Sequence, residues 1–284
     1  MEITRVGNFF SWPKLLTIFA FIYSQTFVSS LYAAPKAELI SYWNVSDEKS
    51  STKIDHSSWQ SILDKYLDEQ HSSGINRFNY SAVSTEDGKT LEQYLIYLQS
   101  IDPRKLRQAQ QFPFWVNLYN AKTVALVTKA VKTRDIESIK EIRSHYIWAG
   151  PWRMNSLKVA EKAVSLDDIE HGVLRPIWKD RRIHFAVSCA SLGCPNLLKT
   201  AFTEANTETL LSSAEKSFLL HPRAVRITGE KLVLSTIFQW YRADFAEDER
   251  QLLDYVSRFS NLDINHEEID VSYEYDWGLN SPTP

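Results

Sequence analysis

From Ser57 onward the apolar positions fall mostly into helical spacing. Trp59, Ile62, Leu63, Tyr66 and Leu67 recur at i, i+3, i+4, i+7 and i+8, and Leu91, Tyr94, Leu95 and Leu98 form a second stripe of the same kind. The stretch 113–131 is apolar almost all round. That predicts a long helix buried on most sides, with Pro113 in its first turn, where a missing N–H costs nothing. Ser165 followed by Asp168 has the spacing of a reciprocal N-terminal cap and predicts a helix running through His171. Residues 207–220 are amphipathic, and further helices are expected around 237–245 and 247–259.

Other segments alternate with period two. Arg182-Ile183-His184-Phe185-Ala186-Val187-Ser188 reads as a strand, and 78–83 as a shorter one. Residues 223–227 and 231–234, split by Gly229-Glu230, predict a hairpin, and 270–275 a further strand. The turn-rich segment Cys189 to Asn196 follows the strand at 182–188. There is no internal repeat and no interdomain linker. The expected fold class is α+β: a single compact helix-rich domain with a small, mostly antiparallel sheet, covering 56–284 behind a polar N-terminal arm at 34–55.

The first 33 residues break this pattern. Arg5 and Lys14 precede an apolar run at 15–23, Ser24 and Gln25 interrupt it, and small residues follow at Ala33-Ala34. A basic start, a short apolar middle and a small-residue exit are the parts of a secretory signal peptide. The run is shorter than the roughly 18–20 residues needed to span hydrocarbon. The expectation is therefore export to the periplasm or the medium, with no stable membrane insertion after cleavage at about Ala33. Composition adds an exclusion. A net charge of −3 offers no basic surface to nucleic acid. Nine Trp, 13 Tyr and 14 Phe against eight Gly describe an aromatic globule. Two Cys are too few for a disulfide scaffold, but in an exported chain a single bridge persists.

The residues able to carry chemistry gather between His184 and Pro195. Cys189 ends the expected strand. Cys194 stands before Pro195 and is placed to cap a short helix, which would favour its thiolate. On a strand His184 and Cys189 point to opposite faces, so His171 becomes the nearer partner for Cys189, while Cys194 is able to reach either histidine. Asn117 and Asn120 share one face of the long apolar helix, where an amide is either a catalytic orienter or a structural bracket. His171, His184, Cys189 and Cys194 are zinc-compatible atom types, but their spacing fits no compact zinc motif, so no metal and no cofactor is expected.

Five ordered blocks carry a resemblance. They are Phe114-Trp115-Val116-Asn117-Leu118-Tyr119-Asn120-Ala121; Leu166-Asp167-Asp168-Ile169-Glu170-His171 with Leu174-Arg175; Arg182-Ile183-His184-Phe185 with Ser188-Cys189-Ala190-Ser191 and Cys194-Pro195; Leu234-Ser235 with Ile237-Phe238, Trp240-Tyr241 and Asp244-Phe245; and Tyr275-Asp276-Trp277 with Leu279-Asn280. Together they resemble the bacterial exported branch of the family called domain of unknown function 547, from about residue 59 to 280. The resemblance implies a compact, frequently exported domain and brings no settled reaction. Two functions stay open. One is a thiol-dependent hydrolase or acyltransferase acting on an amide bond of a small-molecule or peptide substrate. Cys189 or Cys194 would be its nucleophile, His171 (or His184) the base, Glu170 or Asn120 the orienter and Asn117 an oxyanion donor. The other is a non-catalytic periplasmic binding or scaffold module closed by a Cys189–Cys194 disulfide.

Overall fold

In sequence order the chain forms α1 (Ser57–Tyr66), β1 (Leu67–Asp68), β2 (Arg77–Phe78), α2 (Thr85–Ser100) and α3 (Gln108–Thr133), then β3 (Leu157–Val159) and β4 (Lys162–Val164). A π-helical turn, Asp168–Leu174, runs directly into α4 (Arg175–Trp178) and is followed by α5 (Ile183–Ala186) and α6 (Thr207–Leu219). β5 (Val225–Thr228), β6 (Lys231–Ser235), α7 (Thr236–Trp240), α8 (Arg242–Phe245), α9 (Glu249–Ser260) and β7 (Asp270–Glu274) complete the order. This computed structural model describes residues 35–142, 150–260, 262 and 269–282. The expected signal peptide at 1–33 lies outside the described residues. Within them, no helix is long and apolar enough to cross a membrane.

The α+β class is borne out: helices dominate, and the strands form small sheets. β1–β2 and β3–β4 are antiparallel pairs, while β5 and β6 form the expected hairpin, turned at Gly229 with φ +62°. β7 adds parallel to β6, in the register Leu232 to Val271 and Leu234 to Tyr273.

Two apolar cores organise the helices. α1, α2 and α3 enclose the first, with Trp59, Trp115, Phe114 and Leu98 inside and Trp43 edge-on to Trp115 at 5.1 Å. The second lies between the three-stranded sheet, α6 and α9, around Phe218, Phe238, Phe245 and Leu252. α5 stands between them: Ile183 and Ala186 belong to the first core and Phe185 to the second.

That position corrects the strand expected at 182–188. The segment is a single helical turn, held by Phe185 N–H to Arg182 O at 3.0 Å and Val187 N–H to Ile183 O at 3.2 Å. Every residue from Ile183 to Ser188 is buried, so the alternation of polar and apolar types records no wet face. The helix expected after Cys194 is also absent, because Cys194 N–H closes a turn on Ser191 O and 195–198 is irregular. Pro113 is not in a first turn: α3 begins at Gln108, and the proline sits inside it. Only Phe78 of 78–83 is in a strand.

The cap at Ser165 is as expected. Its N–H and Oγ both reach Asp168 Oδ2, at 2.8 and 2.7 Å, and Asp168 N–H returns to Ser165 Oγ at 3.0 Å. The turn it opens has i→i+5 spacing, a rare form that is frequently found at functional positions. The polar arm docks against this turn: Glu38 N–H bonds His171 O at 3.0 Å and Ile40 N–H bonds Gly172 O at 2.9 Å. A Cβ on Gly172 would lie 2.4 Å from Ile40 Cδ1, so the Ile40 side chain would have to shift to admit one.

Candidate functional site

The π-turn, α5 and α8 bring a closed network of charge together. His184 stands between two carboxylates, with Nε2 2.7 Å from Asp244 Oδ2 and Nδ1 3.5 Å from Glu170 Oε1. Arg175 Nε donates to the same Asp244 oxygen at 2.6 Å, and Arg175 Nη1 donates to His171 Nδ1 at 3.0 Å and to Pro35 O at 2.8 Å. Tyr119 Oη donates to Glu170 Oε2 at 3.2 Å, and Tyr241 stacks on His184 with ring centres 4.0 Å apart. Burial works against ionisation of Glu170, but His171, His184 and Arg175 outweigh it and hold its pKa at about 2. Burial likewise opposes the Asp244 carboxylate, and hydrogen bonds from His184 and Arg175 keep its pKa well below the usual range. Burial, helped by the Arg175 charge, lowers the pKa of His171.

The thiols occupy a different neighbourhood. Asn120 spans the exit of α5, donating to Ala186 O at 2.9 Å and accepting from Ser188 N–H at 2.8 Å. Cys189 follows immediately and is half-buried between buried neighbours. Ala190 then takes φ +59°, a left-handed conformation that costs a non-glycine residue about 1 kcal/mol or more and collects at functional sites. Cys189 Sγ lies 2.9 Å from Tyr275 Oη and 3.1 Å from Ser191 Oγ, and these hydroxyls are 2.8 Å from each other. Cys189 N–H donates to Cys194 Sγ at 3.0 Å, and both cysteines are free thiols. Burial opposes the Cys189 thiolate, but hydrogen bonds from Cys194, Ser191 and Tyr275 prevail and bring its pKa below the ordinary 9.0. Burial and the neighbouring Cys189 drive Cys194 the other way. The pair therefore ionises at Cys189 first.

The segment 276–280 clamps this loop. Leu192 N–H bonds Gly278 O, Gly193 N–H bonds Asp276 O, and Asn280 N–H bonds Ala190 O, at 2.7, 2.8 and 3.1 Å. The aromatic stretch 275–280 is thereby tied down on the domain. A Cβ on Gly193 would lie 2.8 Å from the Asp276 nitrogen, so the segment after β7 and the loop touch backbone to backbone there. A cleft of about 530 Å³ opens beside the clamp, with Gly193, Tyr275, Trp277 and Arg223 among its walls.

The residues singled out in the sequence therefore divide. Glu170, His171 and His184 share the charged network; Cys189 and Cys194 share the loop. Among the described residues no histidine hydrogen-bonds either sulfur. Both nitrogens of His184 face carboxylates, and the Nδ1 lone pair of His171 accepts from Arg175. Asn117 is likewise committed, donating to Phe202 O at 2.7 Å and accepting from Phe202 N–H at 3.1 Å, away from the thiols. Asn120 holds the backbone leading into Cys189. No group of three or more His, Cys, Asp or Glu among the described residues is placed to hold a metal ion. Sequence reasoning missed Tyr275, Ser191 and Arg223 as neighbours of the thiols and Asp244 as the counter-ion of His184. Tyr275 was marked only by its place in the last of the five ordered blocks.

The architecture defines a class: an α+β domain in which a hydroxyl-lined thiol loop sits next to a buried histidine–carboxylate network. Residues 103–219, from just before α3 to the end of α6, match the family model described as protein of unknown function, DUF547. The matched span holds Glu170, both network histidines and both cysteines, while Arg223, Asp244 and Tyr275 lie beyond it. No curated protein and no solved structure matches the chain.

Proposed function

We propose that the chain is a thiol-dependent acyl-transfer enzyme, a hydrolase or acyltransferase acting on an amide bond, with Cys189 as nucleophile. One observation carries the reading. The half-buried thiol on a left-handed turn has two hydroxyls and a second thiol within hydrogen-bond distance of its sulfur or its backbone. Such a setting favours the thiolate without a histidine partner.

The Cys189 thiol passes its proton to the Ser191–Tyr275 hydroxyl pair and attacks the acyl carbon as the thiolate; a C–S bond forms, and the C–N bond breaks as that proton is relayed to the departing nitrogen. Water, or an acceptor amine or alcohol, then attacks the thioester. The acyl group leaves as an acid, amide or ester, and the Cys189 thiol is restored. Glu170, His171, His184 and Asn120 serve here as positioning residues that hold α5 and the loop behind it. The resemblance to an exported bacterial branch and the basic–apolar–small pattern of 1–33 support a site of action outside the cytoplasm.

The alternative, a binding or scaffold module closed by a Cys189–Cys194 disulfide, draws on the proximity of the two cysteines. Iodoacetamide labelling of unreduced protein, read by peptide mass, separates the two. The enzyme reading expects Cys189 to label first, with a rate that rises to an inflection below pH 9.0. A native protein that takes no label before reduction overturns it.

A further inference from the structure

The cleft beside the thiol loop carries one unbalanced charge. Arg226 is paired with Glu274, and Asp276 gives one oxygen to Gly278 N–H at 2.8 Å while facing the Arg77 cation. Arg223 has no carboxylate partner among the described residues. It donates from Nη1 to Leu192 O at 3.0 Å and from Nη2 to Asn196 Oδ1 at 2.7 Å, and its Nε hydrogen is unpaired. A guanidinium carries five N–H donors. Two fasten Leu192, inside the turn between Cys189 and Cys194, and Asn196, just beyond it; the guanidinium lies over the Phe218 ring at 5.4 Å with its Nε buried, and the cation has no carboxylate partner on this wall of the cleft among the described residues. Burial, opposed by the nearby cysteines, lowers its pKa to about 10, so it remains a cation at neutral pH.

We infer that Arg223 is a substrate-binding residue, and that it takes a carboxylate carried by the acyl substrate alongside the bond presented to Cys189. A monoanion fits better than a phosphate dianion. One uncompensated cation is available, and Glu274 and Asp276 stand in the same cleft. The guanidinium fork matches a carboxylate in shape as well as charge. The favoured substrates are therefore peptides or amides with a free carboxylate close to the scissile bond. This inference rests on Cys189 being the nucleophile.

Two haloacetates test it on the full chain. Iodoacetate carries a carboxylate next to its reacting carbon, and iodoacetamide is its neutral counterpart. At constant ionic strength the iodoacetate-to-iodoacetamide rate ratio at Cys189 is expected to exceed that of free cysteine by about tenfold. Arg223→Gln should return the ratio to the free-cysteine value, and Arg223→Lys should keep part of the preference. Propionate should raise the thermal midpoint of the wild type above an equal concentration of chloride, and should not do so in Arg223→Gln. The same propionate should slow iodoacetamide labelling of the wild type, which needs no variant to fold. A wild-type ratio equal to that of free cysteine, with no propionate effect on the midpoint, overturns the inference. If Cys189 refuses iodoacetamide while propionate still stabilises the wild type through Arg223, the thiol-enzyme reading fails and the carboxylate site stands.

Discussion

Two polar clusters lie side by side in this fold, and they balance charge in opposite ways. Around His184 every charge has an immediate partner: Glu170 and Asp244 on the imidazole, Arg175 on Asp244, and the ring of Tyr241 over both. Around Cys189 the partners are neutral hydroxyls and a thiol, and the nearest guanidinium, Arg223, is left without a carboxylate. A saturated network has little capacity left to take up a proton or bind a ligand. A loop with spare donors, a left-handed residue and a cleft has both. The histidines have the partners of a structural network, and the thiols lie beside the donors and cleft that the proposed chemistry would use, although both sets lie within the segment that matches the family model.

The largest expected effect comes from opening the saturated cluster. Glu170→Ala removes one carboxylate of the buried network and the acceptor of the Tyr119 hydroxyl, and should cost about 3–5 kcal/mol of unfolding free energy, the usual penalty for breaking a buried ionic network. Urea denaturation measures it, and a loss under about 1 kcal/mol would mean that the network is not the balanced unit described. Acid should act on the same cluster. The pKa of Glu170 in the folded chain, about 2, lies below its ordinary 4.5, so the unfolded chain binds this proton first as pH falls. Its stabilisation is complete above about pH 5 and is lost as pH drops from 4.5 through 2, with the Asp244 contribution lost in the same direction. Glu170→Gln should flatten that limb.

A middle-sized effect separates the two asparagines. Asn120→Ala leaves Ala186 O and Ser188 N–H without partners and should cost about 2–4 kcal/mol while slowing Cys189 labelling, because the backbone it frees leads into the loop. Asn117→Ala should cost a similar amount at Phe202 and leave the labelling rate alone. Equal labelling in both variants would remove Asn120 from the positioning of Cys189. The smallest change belongs to Tyr275→Phe. It removes one hydroxyl from Sγ and should raise the apparent thiol pKa, read as an upward move of the inflection in the pH dependence of alkylation, with little change in stability. An unmoved inflection would show that Ser191 and Cys194 suffice.

How much of this was legible depended on where each residue's partners lie. α1, α2, α6 and α9 were visible because each has an apolar face and a wet one, and helical spacing records that contrast. The segment 182–188 has no wet face, since it fills the seam between two cores, and there period two was an accident of residue order. The cap at Ser165 and Asp168 was legible because it is local. The thiols were legible as reactive atoms, but their setting was not. Tyr275 is 86 positions from Cys189 and Asp244 is 60 from His184. No spacing rule joins them; only the path of the chain through α7 and α8 to β7 does. The pairing of His171 with a cysteine followed from placing His184 and Cys189 on opposite faces of a strand, and it overlooked the hydrogen bond that Arg175, one helical turn away, makes to the imidazole.

The clamp formed by 276–280 has a consequence in time. Phe78 N–H, Ala190 O and the Tyr80 hydroxyl all bond Asn280, and Tyr275 supplies a hydroxyl to Cys189. As the polypeptide is synthesised, the helical core can assemble while the thiol loop still lacks its cover. Only when the chain has been made through Asn280 do Gly193 and the backbone at Asp276 close on each other. A chain interrupted before Tyr275 would keep both cysteines but lack the hydroxyl that lies 2.9 Å from Cys189 Sγ, so the setting of that thiol is completed late in synthesis.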